Sequence, residues 1–233
     1  MMKSINDIAF IVQSRLNSER VPRKMVRPFA GTTLFDLVLD KLVQCESIPN
    51  ANIYASVHEE ELREIAQSKD VRIYHRSYES ANNDNDIRTI YEWHKFLPHK
   101  YVVLVSGCNP LLKVDTIDRF VKQFVFQKEE NLFGVVKKHN YFWNMEGALV
   151  TPWPEGQTIM NTKAVEPTYE AAHCLYASRR DLIEEHMFMG VFEEPGGISL
   201  FDVPELEAFD IDEPWQFKVA EKLYYEFSDE TNI

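Results

Sequence analysis

Four cations fall within the ten residues that end the stretch AFIVQSRLNSERVPRK: Arg15, Arg20, Arg23 and Lys24, with Ser18 among them. Arg and Lys offset phosphate charge, while a serine hydroxyl and backbone N–H groups donate to phosphate oxygens, so the stretch suits a polyphosphate. The same residues would also serve as a charged surface turn. Neither glycine fingerprint for phosphate, GxGxxG or GxxxxGK(S/T), is present. A cation in such a loop serves charge rather than the core, so Lys24→Ala is expected to leave stability intact.

A second group with chemistry is FDIDEP, where Asp210 and Asp212 are two residues apart. At a strand end both carboxylates lie on one face, with Phe209 and Ile211 on the other. Adjacent carboxylates repel unless a cation or hydrogen bonds hold them. Mg2+ is bound through one or two carboxylates plus substrate phosphates, which makes it the candidate ion. Equally, Asp212 ahead of Pro214 suits a helix N-cap. Three weaker groups follow. Ser106 in SGCNPLL sits at a tight turn and can hydrogen-bond a ribose or an acceptor; Cys108 beside it has no base in reach along the chain and is not read as a nucleophile. Arg76, with the polar run Asn82–Asp86, can read a base edge or form an ordinary loop. Glu170 and His173, three apart, can face an acceptor or be structural.

The elements that must position these residues alternate. Ile8–Val12, Ile53–Val57, Val71–Tyr74, Tyr101–Val105 and Leu132–Val136 read as strands. Helices are expected from Leu34 (capped by Thr32 or Thr33), over Glu59–Ser68 and Ile87–Phe96, and from Thr116. Short apolar runs separated by helices indicate an α/β protein with a mainly parallel sheet covered on both faces. Ligands of such sheets bind beyond the strands' carboxyl ends, where the cationic loop lies. From Lys137 the pattern gives way to aromatics, Gly and Pro, an irregular or hairpin excursion over about residues 137–172. A strand at Cys174–Ala177, a helix from Arg180, a strand ending at Ile211 and a helix over Pro214–Phe227 complete one domain of 1–233.

The 233 residues are 45% hydrophobic and 12% aromatic, enough for a full core. A net charge of −12 argues against non-specific nucleic-acid binding, which needs a basic face. Three scattered cysteines offer neither metal-ligand spacing nor a disulfide framework. With no leader pattern and no apolar run near about 18 residues, no membrane is implied and a soluble cytoplasmic protein is expected.

Taken jointly, these motifs resemble the cytidylyltransferases that activate acidic sugars, above all the acylneuraminate (CMP-sialic acid synthetase) type. SRLNSERVPRK is similar to that family's ARxxSxxxPxK, with Arg15, Ser18, Pro22 and Lys24 in register. AGTTLFDLVL follows as its helix start, Asn109-Pro110-Leu111 matches its Pro-Leu loop, and FDIDEPWQFKVAEKL matches its Asp-x-Asp and helix. The resemblance spans about residues 8–136 and 173–225. It implies a Rossmann-like nucleotidyltransferase fold, and CTP reacting with an acidic sugar to give CMP-sugar and pyrophosphate. It also implies Mg2+ on Asp210 and Asp212 and catalysis by Arg15 and Lys24. The nucleotide would be held by Arg15, Ser18, Lys24, Arg76 and Ser106, in a homodimer whose irregular region reaches the partner's site. Met25 stands where the family has asparagine. Cys108 stands where the related 3-deoxy-manno-octulosonate enzymes have a metal-binding aspartate, and SGCNP partly echoes a TGDCP-like turn of the spore-coat polysaccharide group. The alternatives are therefore the same fold with another nucleotide or acceptor, or a catalytically silent nucleotide-binding protein.

Overall fold

Strand β1 (Ile8–Gln13) is buried because its two sets of alternate side chains meet two different cores. Ile8, Phe10 and Val12 point into the larger core, and Ala9 and Ile11 into the smaller. A computed structural model describes residues 2–187, 192 and 195–228. After β1 the cationic loop leads to a hairpin of β2 (Pro28–Phe29) and β3 (Thr32–Thr33). Its turn, Ala30-Gly31, has positive φ at both residues (49° and 82°), which a glycine tolerates without strain. Helix α1 (Leu34–Gln44) begins on Thr33, whose side chain accepts from the Asp36 N–H.

The chain continues as β4 (Ile53–Val57), α2 (Glu60–Ser68), β5 (Arg72–His75), α3 (Tyr78–Ala81), α4 (Ile87–Ile90), β6 (Tyr101–Val105), α5 (Val114–Phe126), β7 (Leu132–Lys138), β8 (Thr168–Arg179), β9 (Leu200–Asp202) and α6 (Pro214–Ser228). One seven-stranded sheet has the order β5-β4-β1-β6-β8-β7-β9. Only β8 runs against its neighbours β6 and β7; the other pairs are parallel. The two faces are covered unequally. Residues of α1, α2, α5 and α6 pack into the larger core, whereas the smaller is closed by Trp93, Leu97 and Ile183 from short turns. Among the described residues no helix is long and apolar enough to cross a membrane.

Several expected elements differ. The helix over Ile87–Phe96 is broken at Tyr91 (φ −106°, ψ 42°), which separates α4 from a 3-10 turn at Glu92–Lys95. The helix from Arg180 is a single 3-10 turn, Arg180–Ile183. No strand ends at Ile211; the nearest preceding strand is β9, and Phe209–Asp212 is irregular chain. The excursion is narrower than 137–172, because β7 extends to Lys138 and β8 already begins at Thr168. Between them, Tyr141 is buried against Trp143 and Trp153, which remain exposed.

Candidate active site

The cationic loop is shaped by contacts at both of its ends. Gln13, at the close of β1, accepts from Trp93 Nε1 (2.8 Å) and donates to the Ile90 carbonyl (3.1 Å). Arg15 donates to the Ala81 carbonyl (3.2 Å) and pairs with Asp84 at 2.8 Å. The Leu16 N–H donates to Glu59 Oε1 at 2.8 Å, drawing the loop onto the start of α2. Arg23 then takes a left-handed conformation (φ 56°), and its N–H closes back on the Leu16 carbonyl at 3.2 Å. That reversal sends the Arg23 guanidinium outward to Glu61 and turns Lys24 inward. Lys24 is not a surface cation. Its side chain is 14% exposed, donates to the Ile211 carbonyl at 2.6 Å and lies 3.5 Å from Asp212.

The opposite wall comes from the chain after β6. Ser106 Oγ accepts from the Cys108 N–H at 3.1 Å, forming the turn. Met25 packs against Gly107 so closely that a Cβ there would fall 2.5 Å from its Cε and displace the methionine's end. The Ile211 N–H donates to the Cys108 carbonyl at 3.0 Å, so this turn, rather than a strand, pins the two aspartates in place. A bulge in β8 forms the third side. Phe133 faces Tyr176 and Val135 faces Ala171, leaving Ala172–Leu175 opposite Gly134. A Cβ on Gly134 would lie 3.0 Å from the Leu175 carbonyl oxygen, so only glycine accommodates the bulge without displacement. At its crest His173 has φ 53°, and its Nδ1 lies 3.2 Å from the Tyr176 hydroxyl.

Charge is concentrated where these walls meet. Burial and the neighbouring Asp212 push the Asp210 carboxyl up, against the pull of Lys24 and His173. Asp210 Oδ1 is buried without a hydrogen-bond partner. Asp212 Oδ1 is 2.9 Å from Arg20. Burial works to lower Lys24, but the Cys108 sulfur, Asp210 and Asp212 hold it above the ordinary lysine value on balance. Burial also raises the Cys108 thiol, so it meets Lys24 as a dipole and the two carboxylates keep Lys24 charged. Among the described residues no three His, Cys, Asp or Glu side chains gather as a metal-ligand set. A pair of hard carboxylates with one orphaned oxygen nevertheless fits Mg2+, which draws its remaining ligands from phosphate and water.

The walls enclose a cleft with two lobes, of about 320 Å3 and 370 Å3. Gln13, Ser14, Arg15, Met25, Asp84 and Cys108 line both. The first lobe adds Arg76, Asn83, Tyr91, Ser106, His173 and Tyr176, and the second adds Ser18, Arg20, Lys24 and Asp212. Burial and the charge of Arg15 lower Arg76 to about 10, so it remains a cation at neutral pH; it donates to Ser80 Oγ (2.9 Å) and the Ser80 carbonyl (2.6 Å). Burial raises both phenols, Tyr91 to about 12, leaving them neutral.

Most of the expected site residues line this cleft, with two exceptions: Asp210 lines neither lobe, although it lies within electrostatic reach of Lys24 and Asp212, and neither does Glu170. Glu170 precedes the bulge, pairs with Lys138 of β7 at 3.4 Å and is exposed. Ser14, Gln13, Tyr91 and Tyr176 line the cleft without having been expected there. Ser14 had a signal in its position directly after an apolar strand, whereas Tyr176 depends on a bulge that no local pattern marks.

Comparison with known proteins agrees with this geometry. A family model described as cytidylyltransferase matches residues 9–230. The N-acylneuraminate cytidylyltransferase A of Danio rerio is 24% identical over 94% of this chain, which spans 51% of that protein's length. The 3-deoxy-manno-octulosonate cytidylyltransferase of Rickettsia bellii is 24% identical over 56% of the chain and 53% of its own length. A solved CMP:2-keto-3-deoxy-manno-octonic acid synthetase complexed with CTP superposes with a TM-score of 0.66 at 12% identity, covering 94% of this chain and 98% of that one. The Rossmann-like nucleotidyltransferase fold and the match over nearly the whole length place this chain in the cytidylyltransferase family.

Proposed function

We propose that this protein transfers CMP from CTP to an acidic, sialic-acid-like (ulosonic) sugar with release of pyrophosphate. The observation that carries the reading is the two-lobed cleft lined by Arg15 and Lys24, with Lys24 beside the carboxylates of Asp210 and Asp212. The first lobe, with its phenols, Arg76, Asn83 and Ser106, suits cytidine. The second, with Ser18, Arg20 and Lys24, suits the triphosphate. A sugar hydroxyl oxygen attacks the α-phosphorus as its bond to the bridging oxygen of the pyrophosphate breaks, and the hydroxyl proton passes to solvent. Negative charge grows on the departing pyrophosphate, and Arg15 and Lys24 offset it from fixed positions. Asp210 and Asp212 would hold a divalent cation, which when bound supplies Lewis-acid polarisation of phosphate oxygens. His173, exposed at the crest of the bulge and lining the first lobe, would meet the acceptor there beside the cytidine; Glu170 lies outside both lobes. The acylneuraminate relative, aligned with 94% of the chain, supports the sialic-acid-like acceptor; the solved octulosonate synthetase also covers 94% of the chain, so an octulosonate is the alternative acceptor.

The test is pyrophosphate release with Mg2+, each of CTP, UTP, ATP and GTP, and a panel of N-acetylneuraminate, 3-deoxy-manno-octulosonate and a neutral hexose. Release with CTP and N-acetylneuraminate is expected. Release only with octulosonate moves the acceptor, and release with another nucleotide moves the donor. No release with any pair, despite CTP binding, identifies a silent nucleotide-binding protein. The reading includes a homodimer, to which the exposed Trp143, Met145, Trp153 and Ile159 suit the irregular segment. A monomeric mass by sedimentation at micromolar concentration would remove that part.

A further inference from the structure

Ser14 is a polar side chain with no structural task. The residue is 5% exposed, yet its hydroxyl oxygen is buried without a hydrogen-bond partner. Its backbone N–H is already used, donating to the Ser56 carbonyl at 3.1 Å. A buried hydroxyl left unpaired is costly, so a folded chain retains one where something outside the protein completes it. Ser14 also lies where a ligand can reach it, because it lines both lobes of the cleft, between Gln13 and Arg15.

We infer that Ser14 Oγ–H donates to an α-phosphate oxygen of the bound nucleotide. The inference rests on the proposed placement of cytidine in the first lobe and the polyphosphate tail in the second. In a nucleoside triphosphate the α-phosphate is the group that joins those two halves, and Ser14 is at the junction of the two lobes. A hydroxyl on the attacked phosphoryl group holds it in register with the acceptor, without a charge that would compete with Arg15 or Lys24. The contact is specific to nucleotides that carry an α-phosphate: cytidine and free pyrophosphate each fill one lobe and leave Ser14 unpaired.

The experiment is equilibrium binding of CTP, CMP, cytidine and pyrophosphate to the wild type and to Ser14→Ala, with thermal unfolding of both proteins without ligand. Loss of a hydrogen bond to a charged group raises Kd about 10- to 100-fold, and that is expected for CTP and CMP. Cytidine and pyrophosphate should bind the two proteins alike. The unliganded Tm of Ser14→Ala should equal or exceed that of the wild type, because the substitution removes an unpaired hydroxyl. Equal CTP and CMP affinities in the two proteins overturn the inference and leave the proposed function standing. A Tm several degrees lower, with the four affinities unchanged or reduced together, also overturns it by showing a structural role. Failure of the wild type to bind CTP or CMP overturns the proposed function and this inference with it.

Discussion

Replacing Asp210 by asparagine should stabilise the unliganded protein while abolishing its response to metal and nucleotide. Asp210 Oδ1 is buried without a partner, and the carboxyl is raised by burial and by Asp212 more than Lys24 and His173 lower it. The balance of its surroundings therefore opposes the charge that it carries at neutral pH. Asparagine has nearly the same shape and carries no charge, so it relieves both the desolvation and the repulsion. An unpaired buried oxygen costs about 1–3 kcal/mol and more when charged, so the neutral amide, whose oxygen stays unpaired, lowers that cost on the same scale, and a chain of this size gains about 2–4 °C per kcal/mol. Asp210→Asn should accordingly melt about 2–12 °C higher than the wild type in a metal-free buffer. Saturating Mg2+ and CTP reverse the order: at 100 times Kd a ligand adds about 2.7 kcal/mol to the wild type. The variant, lacking one carboxylate ligand, should gain much less. Differential scanning calorimetry with chelator, with Mg2+ alone and with Mg2+ and CTP measures all three states. A variant that melts lower in chelator refutes the reasoning about the buried carboxylate, and one that keeps the full gain refutes its assignment to the metal.

Two further outcomes come from buried lysines. Lys24→Met removes the donor to the Ile211 carbonyl and the cation beside Asp210 and Asp212, so it should lower stability by about 1–3 kcal/mol, together with turnover. An unchanged Tm by calorimetry would restore the expectation of a cation with no bearing on the core. Lys41 donates to the carbonyls of Pro110 and Leu112, and burial lowers its pKa from 10.5 to about 7. Below pH 7 the buried charge is present and its cost is full; between about 7 and 10.5 the unfolded chain binds the extra proton, so the wild type gains stability as pH rises. The Tm difference between the wild type and Lys41→Met should therefore shift in the wild type's favour from pH 6 to pH 9, and a flat difference would contradict the burial of that ammonium.

The strands were legible because a sheet covered on both faces needs apolar residues in both alternations, which leaves continuous runs such as Tyr101–Val105. The cationic loop was legible by residue type, and Arg15, Ser18 and Lys24 do line the cleft. Which cations turn inward was not, since Arg23 and Lys24 are adjacent and only the left-handed turn at Arg23 separates their directions. Asp210 and Asp212 were located by type but for the wrong geometric reason: no strand aligns them, and the Ile211 N–H bond to the Cys108 carbonyl does. Periodicity also carried the helix from Ile87 past Tyr91, where hydrogen bonds from Ser80 Oγ and Gln13 Nε2 to the Ile90 carbonyl compete with continued helix. The bulge in β8 rests on a glycine one strand away, a relation between Gly134 and Leu175 that short-range pattern cannot carry.

The cleft is assembled from pieces that each give up some stability. Ser14 and Asp210 have unpaired buried oxygens, His173 sits in a left-handed conformation, and Met25 packs so closely on Gly107 that a side chain there would displace it. These departures come from the chain after β1, after β6, in β8 and before α6, far apart in sequence, yet three line one cavity and Asp210 stands beside Lys24 and Asp212 at its edge. A folding optimum would remove each of the four, since an alanine, an asparagine or a regular strand satisfies the local rule better. Their clustering near the carboxyl ends of β1 and β6 is what a site shaped for a ligand predicts, because a bound nucleotide and cation would supply hydrogen bonds and counter-charges that the protein's own groups do not. Stability should accordingly rise with nucleotide by more in the wild type than in any variant that repairs one of these departures.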